Sequence, residues 1–330
     1  MRPRARRDSS VIETIIGAIG EVDADAQAVI DLVVASGRPP LYQLALADAR
    51  LAMATSRAVL GLPPPLVRTR DIMADLPGGT RTVRLYRPAD AADDECLPLA
   101  FYFHGGGWVL GDLDYGDWFC AALVDQLNIA VLAVDYRLAP EHRFPAAVDD
   151  AVAAVDWARA AAQTLGVRPD ALAVIGDSAG GNLAAVCAIH ARDAGELGLK
   201  SQILIYPVTD LTMATGSYSR NAEGYVLTAE TMAWFKREYL AGADERYWRA
   251  SPRFAELSGV APALIISGGF DVLADEAGDY ARGLQAAGVP TRHMHFAGQV
   301  HGFLMWGKMV RQSQIALTAI IEELRLRLIA

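Results

Sequence analysis

Ala171-Leu-Ala-Val-Ile-Gly-Asp-Ser-Ala-Gly-Gly-Asn182 is the stretch whose reading decides the fold. Residues 171–175 form a short apolar run and 179–195 an Ala-rich helical run, joined by Gly176-Asp177-Ser178-Ala179-Gly180, a G-x-S-x-G. A serine on so sharp a strand-to-helix turn is pushed out at the strand's carboxyl end, and small neighbours are needed to permit the turn. The helix starting at Ala179 adds backbone N–H groups and a positive dipole end. The same features suit a Gly-rich β–α turn that binds a phosphate. The motif alone leaves nucleophile and anion site both open.

Outward from this point the chain keeps a strand–loop–helix rhythm. Apolar runs rich in β-branched and aromatic residues recur at 97–103, 129–135, 201–206 and 262–267, as in buried strands of a mainly parallel sheet. Residues 81–87 alternate apolar and polar, and 291–296 is strand-like; the first reads as an edge-type strand. Helical stretches fill 144–163, 275–287 and 309–328. The alternation predicts an α/β fold, a mostly parallel central sheet flanked by helices. Two segments break it. Residues 9–60 read as helices with no strand, and 211–250 holds Tyr218, Tyr225, Trp234, Phe235, Tyr239 and Trp248 in helical surroundings. The expected organisation is an N-terminal cap segment, 1–60, and a catalytic domain, 61–330, with a cap insertion around 211–250. Leu62 to Pro65 is the one linker-like stretch.

Composition narrows the function classes. With 52% hydrophobic and 21% charged residues, the 330-residue chain is globular and long enough to fold without disulfide or metal staples. Its net charge of −9 argues against a nucleic-acid or anionic-membrane partner. Cys96, Cys120 and Cys187 show neither metal spacing nor a disulfide framework, so a reducing compartment is expected. The arginines within Met1 to Arg7 are not followed by a signal-like apolar core, because Asp8, Glu13, Glu21 and Asp23 interrupt it. No uncharged apolar run of about 18 residues exists either. From these a cytoplasmic protein without membrane insertion is expected.

A second glycine motif, His104-Gly105-Gly106-Gly107-Trp108, directly follows the run 97–103. Bare backbone there can aim N–H groups at the oxygen that turns negative during acyl transfer. Beside a nucleophile elbow this reads as an oxyanion hole rather than a flexible loop. A serine nucleophile needs a histidine base and an orienting carboxylate, in the chain order Ser, Asp or Glu, His. Asp271, after the run 262–267, and His301, after 291–296, meet that order. Asp275 and Glu276 read instead as helix-start acids that complement the dipole. His293 and His295 suit sheet packing or a surface role, and His190 lies within a helix. No metal site is expected from His293, His295 and His301, which lack matching cysteine or carboxylate spacing.

In this order, HGGGW, Asp135-Tyr136-Arg137-Leu138-Ala139-Pro140-Glu141 with Phe144-Pro145-Ala146, GDSAGGN, and the late Asp and His loops resemble the bacterial hormone-sensitive-lipase-like esterases, α/β-hydrolases of the GDSAG type. The likeness runs from about residue 80 to 305. It implies a Ser178–Asp271–His301 triad beneath a helical cap, with oxyanion donors from the glycine block and Ala179. Gly106 and Gly107 lead as donors, with Gly105 left open. It also implies that His104 shapes the glycine loop and that Asp135 to Pro145 form a turn beside the site. One block departs from the pattern: similar enzymes read DPLRDEG where this chain has Asp271-Val-Leu-Ala-Asp-Glu-Ala277. Losing the proline and arginine is expected to loosen that loop.

The implied activity is hydrolysis of short- to medium-chain acyl esters through an acyl-enzyme, with no cofactor. An amidase or formamidase, and a non-catalytic small-molecule binder on the same scaffold, are the alternatives. Trp108, Asp177 and Tyr206 are candidate pocket residues. Strand 291–296, last before the closing helix, is expected at a sheet edge, where a homodimer would form.

Overall fold

Strands form at every apolar run, and at two further places. In the computed structural model, which describes residues 12–60, 65–92, 95–195 and 198–329, the strands are β1 (Ile12–Ile16), β2 (Arg68–Leu76), β3 (Gly79–Arg87), β4 (Leu97–Phe103), β5 (Ala130–Val134), β6 (Val167–Asp177), β7 (Leu199–Ile205), β8 (Ala263–Phe270) and β9 (Thr291–Val300). They build one sheet in the order β1-β9-β8-β7-β6-β4-β5-β3-β2. All pairings are parallel except β5 with β3 and β3 with β2. This is the α/β-hydrolase architecture.

Both faces of the parallel strands are covered, which is why they read as continuous apolar runs rather than alternating ones. Helices Ala146–Ala160, Ala179–Asp193 and Ala274–Ala286 pack on one face. Helices Asp117–Leu127 and Gln312–Leu324 pack on the other. Among the described residues, no helix is long and apolar enough to cross a membrane.

Four expectations need correction. Residues 9–60 do contain a strand, β1, which pairs in parallel with β9 from Ile12 opposite Arg292 to Ile16 opposite Phe296. Strand β9 is therefore internal, and the edge on which the dimer was expected is occupied by the chain's own N-terminal strand. Strand β3 is internal as well, with β2 outside it. Its alternation reports one solvent-leaning face, not a missing neighbour. Strand β2 and helix Asp117–Leu127 were not anticipated. In β2, charged residues dilute an inward set, Ile72, Ala74 and Leu76, that is nonetheless spaced by two. The arginine-rich start and most of Leu62–Pro65 lie outside the described residues.

Candidate active site

Three parallel strands each end one residue before a reactive side chain. Ser178 follows β6, Asp271 follows β8 and His301 follows β9. Parallel strands bring their carboxyl ends to one sheet edge, where open α/β sheets bind ligands. There His301 Nδ1 lies 2.7 Å from Asp271 Oδ2, and His301 Nε2 lies 3.0 Å from Ser178 Oγ. A carboxylate only accepts, so Nδ1 carries the proton and Nε2 turns its lone pair to the serine hydroxyl. Asp271 is 1% exposed, and its other oxygen accepts the Leu273 N–H at 2.9 Å. Burial and two fixed donors leave the carboxylate one orientation.

The serine sits on a constrained turn, with φ 58° and ψ −118°. Its N–H donates to the Ile205 carbonyl at 2.8 Å, while its own carbonyl accepts from Asn182 at 3.1 Å and Val208 at 3.2 Å. Close approach explains the glycine two residues on: a Cβ on Gly180 would lie 1.9 Å from the Phe103 carbonyl oxygen. The elbow is thus pressed against the end of β4, which places it beside the His104–Trp108 loop.

That loop turns through Gly106 at φ 115°, a conformation open to glycine. The Gly106 carbonyl accepts from Val109 and Leu110 at 3.1 and 2.9 Å. Among the described residues, no acceptor takes the N–H of Gly106 or Gly107, and both glycines face the cavity that holds Ser178 and His301. Ala179 is the first residue of its helix, where an N–H has no intrahelical acceptor. Gly105 is different. Its N–H donates to Asp177 Oδ1 at 2.9 Å, so it is spent on structure and drops out of the oxyanion set.

Asp177 is a clamp. Its buried carboxylate accepts from Tyr102 Oη at 2.7 Å, from Tyr115 Oη at 3.2 Å and from Gly105. Burial pushes it up to about 6, against the pull of those donors and of His301. His104 shapes the loop as expected: Nδ1–H donates to the Gly105 carbonyl at 2.7 Å, and the ring stacks on Tyr136 at 4.3 Å. Tyr136 Oη, within the anticipated turn, donates to the His104 carbonyl at 2.7 Å. Burial pulls His104 down to about 4, so it is neutral at physiological pH.

The cavity over Ser178 measures about 180 Å³, with walls that include Val33, Leu41, Leu227, Phe235 and Trp306. The anticipated pocket residues fare unevenly. Asp177 reaches the cavity but spends its carboxylate as above. Trp108 does not line it: fully buried, it stacks on Tyr239 at 4.2 Å and 3° in the core. Tyr206 is buried beside His301, ring to ring at 4.7 Å, and packs behind the base instead of facing the cavity.

The roles of Ser217, Arg220 and Asn221, within the insertion, were missed. Asn221 Nδ2 donates to the carbonyls of Asp271 at 2.8 Å and Gly269 at 3.0 Å. Ser217 Oγ donates to the Val272 carbonyl, and Arg220 pairs with Asp275 at 2.6 Å. These contacts brace the loop expected to be loose. They also redefine Asp275 as a pairing partner of the insertion, while the buried Glu276 accepts the N–H groups of Thr209 and Asp210. Nothing local in sequence marks a side chain that bonds to a carbonyl 50 residues away.

A profile of the alpha/beta hydrolase fold matches residues 100–305. The chain is 41% identical over 277 residues to the carboxylic ester hydrolase LipN of Mycobacterium tuberculosis, covering 81% of this chain and 73% of that protein. It is 40% identical over 256 residues to the ethyl acetate hydrolase of Pseudomonas putida, covering 75% and 79%. The solved hyperthermophilic esterase from the archaeon Pyrobaculum calidifontis matches with a TM-score of 0.88 at 38% identity, over 93% of this chain and 98% of that one. By sequence and by fold, the chain belongs to the hormone-sensitive-lipase-like esterases of the α/β-hydrolase superfamily.

Proposed function

We propose that this chain is a serine carboxylesterase acting on short- to medium-chain acyl esters of small molecules. The observation that carries the reading is the unbroken chain from Asp271 through His301 to Ser178, beside Gly106 and Gly107, whose N–H groups find no acceptor among the described residues. His301 Nε2 takes the serine proton as Oγ attacks the ester carbonyl. Asp271 holds the tautomer and stabilises the imidazolium. The N–H groups of Gly106, Gly107 and Ala179 receive the oxyanion. His301 then gives its proton to the departing alcohol, and water, activated by the same nitrogen, releases the acid. The apolar cavity suits a small acyl group.

Residues 24–60, which follow β1, and the insertion around 211–250 act as the cap. Helices Ala24–Ala35, Leu46–Leu60 and Ala229–Leu240 support this, since each sends a side chain to the cavity that holds Ser178. A cytoplasmic location is supported by Cys96, Cys120 and Cys187, none of which is joined in a disulfide. β1 occupies the edge through which residues 291–296 would pair with a second copy, so no homodimer forms there.

The purified protein should cleave p-nitrophenyl butyrate and acylate Ser178 transiently, while the matching p-nitroanilide turns over at least a hundredfold more slowly. Faster anilide cleavage would favour an amidase. Binding without turnover of either would favour the non-catalytic reading.

A further inference from the structure

Met53 and Tyr115 are walls common to two cavities. One is the chamber of about 180 Å³ over Ser178. The other, about 280 Å³, is lined by these two side chains and by Leu51, Ala54, Arg50 and Asp112. The two cavities differ in how firmly their shared wall is held. Tyr115 is pinned by its hydroxyl to Asp177 at 3.2 Å and by its N–H to Asp112 at 3.1 Å. Arg50, behind it, is locked by Glu141 at 2.7 Å and by the Val109 carbonyl at 3.0 Å. Met53 is half-buried on helix Leu46–Leu60 and is held only by packing. An unbranched thioether with three rotatable bonds is the side chain best suited to move out of a narrow passage.

We propose that the second cavity is a subsite for the far end of a medium-chain ester, entered when Met53 swings aside, with Tyr115 as the fixed jamb. This rests on the ester-hydrolase reading above. A short ester fills the first chamber alone and leaves Met53 in place. A longer one reaches the partition and gains contacts beyond it. Met53 thereby sets the length preference of the enzyme, and Ala54, which touches only the second cavity, offers a way to block it without entering the reaction centre.

The test compares kcat/KM for p-nitrophenyl acetate and p-nitrophenyl decanoate in the wild type, Met53→Ala, Ala54→Trp and the double variant. Met53→Ala should raise the decanoate-to-acetate ratio by about fivefold or more, and Ala54→Trp alone should lower it by a similar factor. In the double variant the gain should vanish. A ratio within about twofold of wild type in both single variants, or a gain that survives Ala54→Trp, overturns the subsite. Ala54 lies on a partly exposed helix face, so its variant tests the proposal even where Met53→Ala fails to fold. Acetate hydrolysis that persists while the ratio stays fixed rejects the subsite and keeps the esterase. A wild type inert toward acetate rejects both.

Discussion

His104 and Asp177 hold Gly105 from opposite sides: Asp177 Oδ1 accepts its N–H at 2.9 Å, and His104 Nδ1–H donates to its carbonyl at 2.7 Å. Neither side chain faces the ester as a reactive group. Together they fix the residue before Gly106 and Gly107, whose N–H groups are the ones proposed to receive the oxyanion. Both are fully buried, and burial shifts them in opposite directions, His104 to about 4 and Asp177 to about 6.

Those shifts set a pH signature. The lowered histidine contributes stability that is present above 6.5 and lost as pH falls toward 4. The raised carboxyl contributes stability at low pH that is lost as pH rises from 3.8 through 6. Each is on the order of 3 kcal/mol, so they offset each other over the shared window. Urea unfolding from pH 6.5 to 4 should show His104→Asn gaining stability on acidification relative to wild type, and Asp177→Asn losing it. Three parallel curves would refute the pairing.

Ser178→Ala should fold and lose activity by about five to six orders of magnitude. Retention of more than about one per cent would remove Ser178 as nucleophile. Ser178→Gly should be equally inactive yet more stable than Ser178→Ala by about 1 kcal/mol, because it relieves a positive φ that alanine keeps. Equal melting temperatures for the two would show that the elbow stores no strain.

Gly180→Ala should cost about 3 kcal/mol or prevent folding, since its methyl would meet the Phe103 carbonyl. A normal melting temperature would mean that the elbow and β4 can separate freely.

Trp108→Phe should leave acyl-chain selectivity unchanged and destabilise the protein by about 1–3 kcal/mol, because Trp108 packs on Tyr239 away from the cavity. Phe235→Ala should do the reverse for selectivity, since Phe235 lines the cavity. A selectivity change in Trp108→Phe matching that in Phe235→Ala would return Trp108 to the pocket.

Asn221→Ala frees the Asp271 loop and should lower kcat about tenfold or more with little change in KM. An unchanged kcat would show that Leu273 and His301 suffice to hold the carboxylate.

The sequence by itself determined the parallel sheet and the strand-to-helix turn at Ser178, and it put Ser178, Asp271 and His301 forward as candidates. Buried parallel strands need continuous apolar runs, and a nucleophile elbow needs small residues at set offsets; both are local demands written in consecutive residues. Tertiary structure alone decided what depends on closure between distant segments. Strand β1 covers β9 from some 280 positions away in the chain, a register of Ile12 on Arg292 that no pattern within either strand announces. Gly105 leaves the oxyanion set because Asp177, 72 residues on, takes its N–H. Trp108 turns inward because Tyr239 waits there, and Asn221 braces Asp271 from the insertion. Periodicity records which faces avoid water. Which donor meets which acceptor is settled only when the sheet has brought them within about 3 Å.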